Sequence, residues 1–190
     1  TFDVGKYVIA PFLWHERIKR IDTVALTHPH PDHLQGLLFI LENFDVREVW
    51  TNGQTLDTAL YESFRTTIRN RGIPLKVLSD MTPDSETSGV AIRILNPPGK
   101  LVAPSDEIPP LHQKDNNPME SDLYEPRQNM LRKASRDLDE INDRSLVIKL
   151  TFGRRSFLLP GDISEPSEWR LAQTDADLRS DVLFVPHHGS

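Results

Sequence analysis

The sequence predicts an α/β fold with at least partly parallel strands and helices packed on an outer face. Three observations carry that prediction. The apolar run Thr23-Val24-Ala25-Leu26 reads as a buried strand, and Gln35-Gly36-Leu37-Leu38-Phe39-Ile40-Leu41, a few residues on, reads as a helix. A second strand and helix follow, giving a βαβα alternation through residue 78. Finally, two short strands flank Gly153 near the end, in the pattern of a hairpin.

Each element has its own justification. Phe2-Asp3-Val4-Gly5 reads as the end of a strand, with an apolar residue leading into Asp and a turn glycine. From Tyr7 to Ile21 the residues Val8, Ile9, Phe12, Leu13 and Ile18 recur at near-helical spacing, which predicts a short amphipathic helix. His15 lies among its charged residues and is expected at the surface. After the helix at 34–43, Val46-Arg47-Glu48-Val49-Trp50 alternates as a strand. Leu56 to Arg71 is predicted helical, because Leu60, Phe64 and Ile68 share one face and Gly72 stops it. Arg65, Arg69 and Arg71 with Lys76 make a basic cluster, expected to be a solvated face.

Leu75-Lys76-Val77-Leu78 is a further strand, and Gly89 to Asn96 alternates as a half-buried one. Pro97 to Asn142 changes character. It holds seven of the fifteen prolines and little periodic apolar content, so an insertion is expected, with one helix near Glu125 to Ile141. Order returns with strands at Ser145–Phe152 and Ser156–Leu159. Ser164 is placed as the cap of a helix running to Ala172, and Asp181 to Val185 as a final buried strand.

Composition sets outer bounds. A chain of 190 residues with 37% apolar content is one domain in size and can pack a core. No apolar run approaches the roughly 20 residues of a membrane span, and no secretory leader stands at the start, so a soluble piece is expected. Zero cysteines exclude disulfides and thiolate metal sites, leaving His, Asp or Glu to hold any metal. A net charge of −6 excludes tight nonspecific nucleic-acid binding, which Lys and Arg would have to drive. A nucleic-acid substrate is still allowed, because bound metal adds positive charge where a phosphate would sit.

The chemistry concentrates in Thr27-His28-Pro29-His30-Pro31-Asp32-His33, three imidazoles and a carboxylate inside six residues at a strand-to-helix junction. Such a loop can bring neutral imidazoles and an ionised carboxylate within about 2.0–2.2 Å of one point, as a metal requires. Two prolines stiffen it. Later, Leu159-Pro160-Gly161-Asp162 and Pro186-His187-His188-Gly189-Ser190 each follow an apolar strand. Five of the seven histidines fall in these motifs.

The first of these motifs resembles the His-x-His-x-Asp-His signature of the metallo-β-lactamase superfamily of hydrolases, and Asp162 and His187-His188 follow in the order that superfamily requires. The resemblance implies an αββα sandwich of two mixed sheets with outer helices, covering 1–190 as one domain with an insertion at about 97–142. It also implies that the first strands are missing from this chain, as from a fragment of a longer protein. Within that resemblance, His28 and His30 bind one metal, Asp32 and His33 a second, and Asp162 bridges both. One of His187 and His188 completes the second site, with His188 favoured. Asp3, in an Asp-x-Gly element, buttresses the metal loop.

A closer likeness is to the C-terminal β-lactamase-like domain of the ComEC/Rec2 DNA-uptake competence proteins. It is carried by Phe2-Asp3-Val4-Gly5, Asn142-Asp143-Arg144-Ser145-Leu146-Val147, Leu159-Pro160-Gly161-Asp162-Ile163 and the final Pro186-His187-His188-Gly189-Ser190. The implied parent is a bacterial cytoplasmic-membrane protein with a channel domain, and the implied substrate is DNA. One departure stands out. The superfamily's third histidine for the first metal has no counterpart except His112, and the Asn-x-x-Ser element occupies about that place. Asn142, Asp143 or Ser145 is therefore expected to supply an oxygen ligand or a water contact.

The expected activity is that of a DNA phosphodiesterase or nuclease using two divalent ions, zinc or manganese. Asp32 would orient the attacking water, and His187 or His112 would protonate the leaving oxygen. Two other classes use the same motifs: a thioesterase or lactamase acting at carbonyl carbon, and a non-catalytic module stabilised by its metals.

Overall fold

The computed structural model describes residues 2–99 and 140–189. Its architecture is an αββα sandwich. One sheet is built of β1 (Arg20–Leu26), β2 (Asp45–Thr51) and β3 (Leu75–Val77), in that order and all parallel. The helices α2 (Pro31–Asn43) and α3 (Ala59–Arg71) make its two crossovers. The other sheet runs β4 (Ser85–Thr87), β5 (Val90–Asn96), β6 (Val147–Phe152), β7 (Arg155–Leu159) and β8 (Val182–Leu183). Its pairs are antiparallel except β7 with β8, which is parallel. Helix α4 (Glu165–Ala172) connects those last two strands.

Three apolar layers follow from the two-residue period of the strands. Val24, Leu26 and Val49 face α2 and α3, where Leu34, Ile40, Leu41, Phe64 and Ile68 complete the layer. Ala25, Trp50 and Leu78 turn the other way, against Ile92, Ile94 and Ile148 of the second sheet. Leu95 and Val147 point outward again, onto Ile163 and Leu171. The βαβα reading of residues 23–78 is thus the first sheet with its helical cover, and the Gly153 hairpin is β6–β7.

Several boundaries differ from the sequence expectation. Residues 2–5 do not end a strand: a helix begins at Val4, with a π-turn over Gly5–Ile9 continued by α1 (Ala10–His15). Asp3 supplies the reason, since its carboxylate accepts the Lys6 N–H at 2.9 Å and so caps that helix. Helix α2 opens at Pro31, inside the histidine motif, because a proline has no N–H to lose in a first turn. Helix α3 starts only after Thr58, whose hydroxyl accepts the Tyr61 N–H, and it stops at Gly72 in the left-handed region.

The strand expected at 181–185 is only Val182–Leu183, and it is exposed, with Leu183 58% and Val185 68% accessible. Among the described residues it lies at the sheet edge, paired with β7 alone. Arg65 of the basic cluster is buried beside Glu62 rather than solvated. His15, as expected, is exposed. Strand β4 was not expected, and Ser88 and Gly89, both at positive φ, turn it into β5. His112 and most of the helix expected near 125–141 lie outside the described residues; 140–143, which are described, are helical.

Candidate metal centre

All the donors from the described residues gather at one end of the sandwich, as the strand directions dictate. The loop after β1 carries His28 and His30, and the first turn of α2 carries Asp32 and His33. Asp162 follows the end of β7, and His187 and His188 follow β8, which is parallel to β7. The segment 142–145 enters β6, antiparallel to β7, and so begins at the same end.

Asp162 is the focus. It is nearly buried, and its Oδ2 lies 3.0 Å from His33 Nε2, 3.2 Å from His188 Nε2 and 4.0 Å from His28 Nε2. Asp32 Oδ2 stands 3.7 Å from His33 Nε2 and 3.5 Å from His188 Nε2. Asp32, His33, Asp162 and His188 thus each offer one donor atom within 4.8 Å of the others. Donors placed about 2.0–2.2 Å from a shared tetrahedral centre would be roughly 3.3–3.6 Å apart, so these spacings suit a small divalent ion.

His28 and His30 form the other half. Their rings meet edge to face at 4.6 Å, and the Nε2 atoms of both are buried without a hydrogen-bond partner. Burial, reinforced by His33 and His30, lowers the His28 pKa to about 3. Burial also lowers that of His30. Both imidazoles are therefore neutral at pH 7, the protonation state that binds metal. A buried polar atom left unpaired calls for an explanation, and an ion held by the two Nε2 lone pairs provides one. For Asp32, burial pushes the carboxyl up, but His33 and the backbone N–H outweigh it and hold the group ionised.

His187 and His188 both occupy the left-handed region, at φ 47° and 54°. Strain of this kind costs on the order of 1–3 kcal/mol per residue and concentrates where side chains must be aimed. The turn sends the two rings apart. His188 goes to the carboxylates of Asp32 and Asp162, whereas His187 Nε2 lies 3.3 Å from the side-chain amide of Asn142. Only His188 joins the four-donor group.

The remaining expected residues divide by what they touch. Asp3 bonds within its own helix and is not among the gathered donors. The Asp143 carboxylate accepts the Ser164 N–H at 3.1 Å and the Ser164 hydroxyl at 2.5 Å, fixing the start of α4. Ser164 stands at the N-cap position, yet its hydroxyl is spent on Asp143 rather than on the helix. Ser145 is fully buried between His28 and Asp162. Asn142 is buried too, and its Oδ1 has no hydrogen-bond partner.

Two residues escaped the sequence reading. Asn96 Nδ2 donates to Asp143 O at 2.9 Å and to Ser145 O at 2.7 Å, while its Oδ1 accepts from Arg170. Asn52 Nδ2 donates to Arg144 O at 2.8 Å. One asparagine from each sheet therefore clasps the 142–145 turn. A signal for the first was present: Asn96 falls where the alternation of Ile92 and Ile94 would put an apolar residue, and the strand register shifts between Ile94 and Asn96.

Comparison with known proteins agrees with this geometry. ComE operon protein 3 of Bacillus subtilis (strain 168) is 23% identical over 189 residues, covering 100% of this chain and 20% of that protein. The chain thus spans about a fifth of the length of the curated relative it matches. The profile of the metallo-beta-lactamase superfamily matches residues 3–121, which include the whole His-x-His-x-Asp-His loop. With more than half of its length matched, and with an αββα sandwich that gathers Asp162 and His188 onto that loop, the chain belongs to the metallo-beta-lactamase superfamily.

Proposed function

We propose that this chain is a metal-dependent phosphodiesterase that cleaves DNA, working as one domain of a longer membrane-associated protein. The observation that carries the reading is the single carboxylate, Asp162, standing between His28 and His30, whose Nε2 atoms are buried, and an Asp32–His33–His188 group in which Asp32 and His188 are exposed. Such an arrangement supports two ions sharing one bridging ligand. His28, His30 and Asp162 would hold one, and Asp32, His33, Asp162 and His188 the other. When bound, two divalent ions lower the pKa of water toward about 7 and offset the charge of a phosphate.

The protein's own groups have separable tasks. Asp32 stays ionised and half open to solvent, so it can accept a proton as water attacks phosphorus. The P–O bond to the leaving sugar oxygen breaks as the new one forms. His187 is assigned as the proton donor to that oxygen once it has taken up a proton and become imidazolium; in the neutral ring Asn142 Nδ2 donates to its Nε2. The same bond leaves Asn142 Oδ1 as the buried oxygen for the first ion, in place of a third imidazole. Asp143 and Ser145 are engaged elsewhere.

Likeness to the competence proteins at four motifs supports DNA as the substrate, and the match to ComE operon protein 3 supports the longer parent. No helix among the described residues is long and apolar enough to cross a membrane. The test is turnover by protein loaded with Mn²⁺ or Zn²⁺, for this chain and for the full-length protein. Single-stranded DNA and an activated phosphodiester should be hydrolysed faster than a thioester or a β-lactam. Preference for a carbonyl substrate in the full-length protein would overturn the assignment.

A further inference from the structure

Ser145 stands where the two sheets meet at the metal centre. Its carbonyl accepts from Asn96 at 2.7 Å, its N–H donates to Asn142 O at 2.8 Å, and the next residue, Leu146, donates to Thr27 O at 2.9 Å. Its backbone is thus pinned on both sides. Its hydroxyl lies 3.2 Å from the Asp162 N–H and 3.2 Å from His28 Nδ1. Gly161 makes the approach possible, since a Cβ there would stand 2.8 Å from the Ser145 Cβ.

A hydroxyl oxygen has two lone pairs and one proton. The Asp162 N–H can only donate, so it takes one lone pair, and the other faces His28 Nδ1. An imidazole that binds metal through Nε2 must carry its proton on Nδ1, and it is usually oriented by whatever accepts that proton. Thr27 Oγ1 is the rival acceptor, 3.1 Å from the same nitrogen. Thr27, however, is the sequence neighbour of His28 and only half buried. Ser145 is sealed from solvent and already held by Asp162.

We propose that Ser145 is a positioning residue: it accepts from His28 Nδ1–H and Asp162 N–H together, fixing the His28 tautomer and the spacing of the two ligands. It lies on the Nδ1 side of the ring and so cannot bind the ion that Nε2 binds. The proposal rests on the metal-centre reading above but not on the substrate. A hydroxyl from the second sheet thereby sets the register of a histidine on the first.

Long-range ¹⁵N–¹H correlation spectra of the metal-free protein report the His28 tautomer directly, and calorimetric titration with Zn²⁺ reports affinity. Wild type should show one tautomer with Nδ1 protonated. Ser145→Ala should give mixed tautomers and a 10- to 100-fold loss of Zn²⁺ affinity, on the order seen when a ligand's outer partner is removed. Thr27→Val should keep the wild-type tautomer. If Ser145→Ala unfolds the chain, Ser145→Cys, nearly the same size with a weaker acceptor, should give the same shift in smaller measure. An unchanged tautomer with affinity within twofold in a folded Ser145 variant overturns the proposal, as does a shift confined to Thr27→Val. Neither measurement involves a substrate, so inactivity toward DNA would leave this result standing, and the reverse holds too.

Discussion

His28 and His30 come from one loop, lie within three residues of each other, and keep their Nε2 atoms away from solvent. Asp32, His33, Asp162 and His188 come from three places in the chain, and two of them, Asp32 and His188, are more than 60% exposed. The buried pair is held by local sequence and by burial, which keeps its imidazoles neutral. The exposed group is assembled only when β7 and β8 join the second sheet and bring their ends to α2. In the proposed reading each half has its own task, one retaining an ion and the other meeting solvent and substrate. Asp162 belongs to both.

The strongest way to break this division is to remove the shared ligand. Asp162→Ala should empty both halves, lowering bound metal measured by elemental mass spectrometry and cutting phosphodiester turnover on the order of 10³-fold, with the fold retained by circular dichroism. Unchanged metal stoichiometry would separate the halves and remove the bridge. A smaller effect distinguishes the adjacent histidines. His188→Ala should lower metal content in the exposed half, whereas His187→Ala should keep the metal and lower turnover about 10²-fold, as loss of a proton donor does. Equal metal loss in both variants would contradict the divergent aim of the two rings.

The mildest change sharpens the buried half. With Asn142 Oδ1 as its oxygen, that half has less nitrogen than a three-imidazole site, and oxygen-rich coordination suits Mn²⁺ even though Zn²⁺ binds more tightly by the usual order. After chelation, activity should return more fully with Mn²⁺ than with Zn²⁺, and Asn142→His should reverse that ranking a few-fold. Full recovery with Zn²⁺ alone would point to His112, or to a residue beyond this chain, as the third ligand.

The contrast also explains what could be read in the sequence. The His28–His33 loop was legible because its residues and the strand and helix that hold them are contiguous. The β1–α2–β2–α3–β3 order was legible for the same reason, from period alone. Asn96 and Asn52 were not, because each acts on a residue 47 or more positions away. Ser145 was marked by the Asn-x-x-Ser element as an oxygen ligand or water contact, but its place beside His28 Nδ1, 117 positions away, was not legible. The terminal strand misled because Val182 to Val185 look apolar enough for a core, yet β8 is an edge with its side chains open. The first residues misled because Asp3 beside Gly5 fits a turn as well as it fits the cap it turned out to be.

Gly5 and Gly36 set how closely the N-terminal helix approaches α2. A Cβ at Gly5 would fall 2.0 Å from the carbonyl oxygen of Gly36, and one at Gly36 would meet the Gly5 nitrogen at 3.0 Å. At this point the N-terminal helix rests on α2 backbone to backbone, while further along Trp14 packs on Phe39. Gly36 lies one turn along α2 from His33. The outer surface of the N-terminal helix is aromatic and exposed, with Phe2 stacked on Tyr7 and Phe12 60% accessible. A side chain at either glycine would therefore push this aromatic surface away from α2 within one turn of His33.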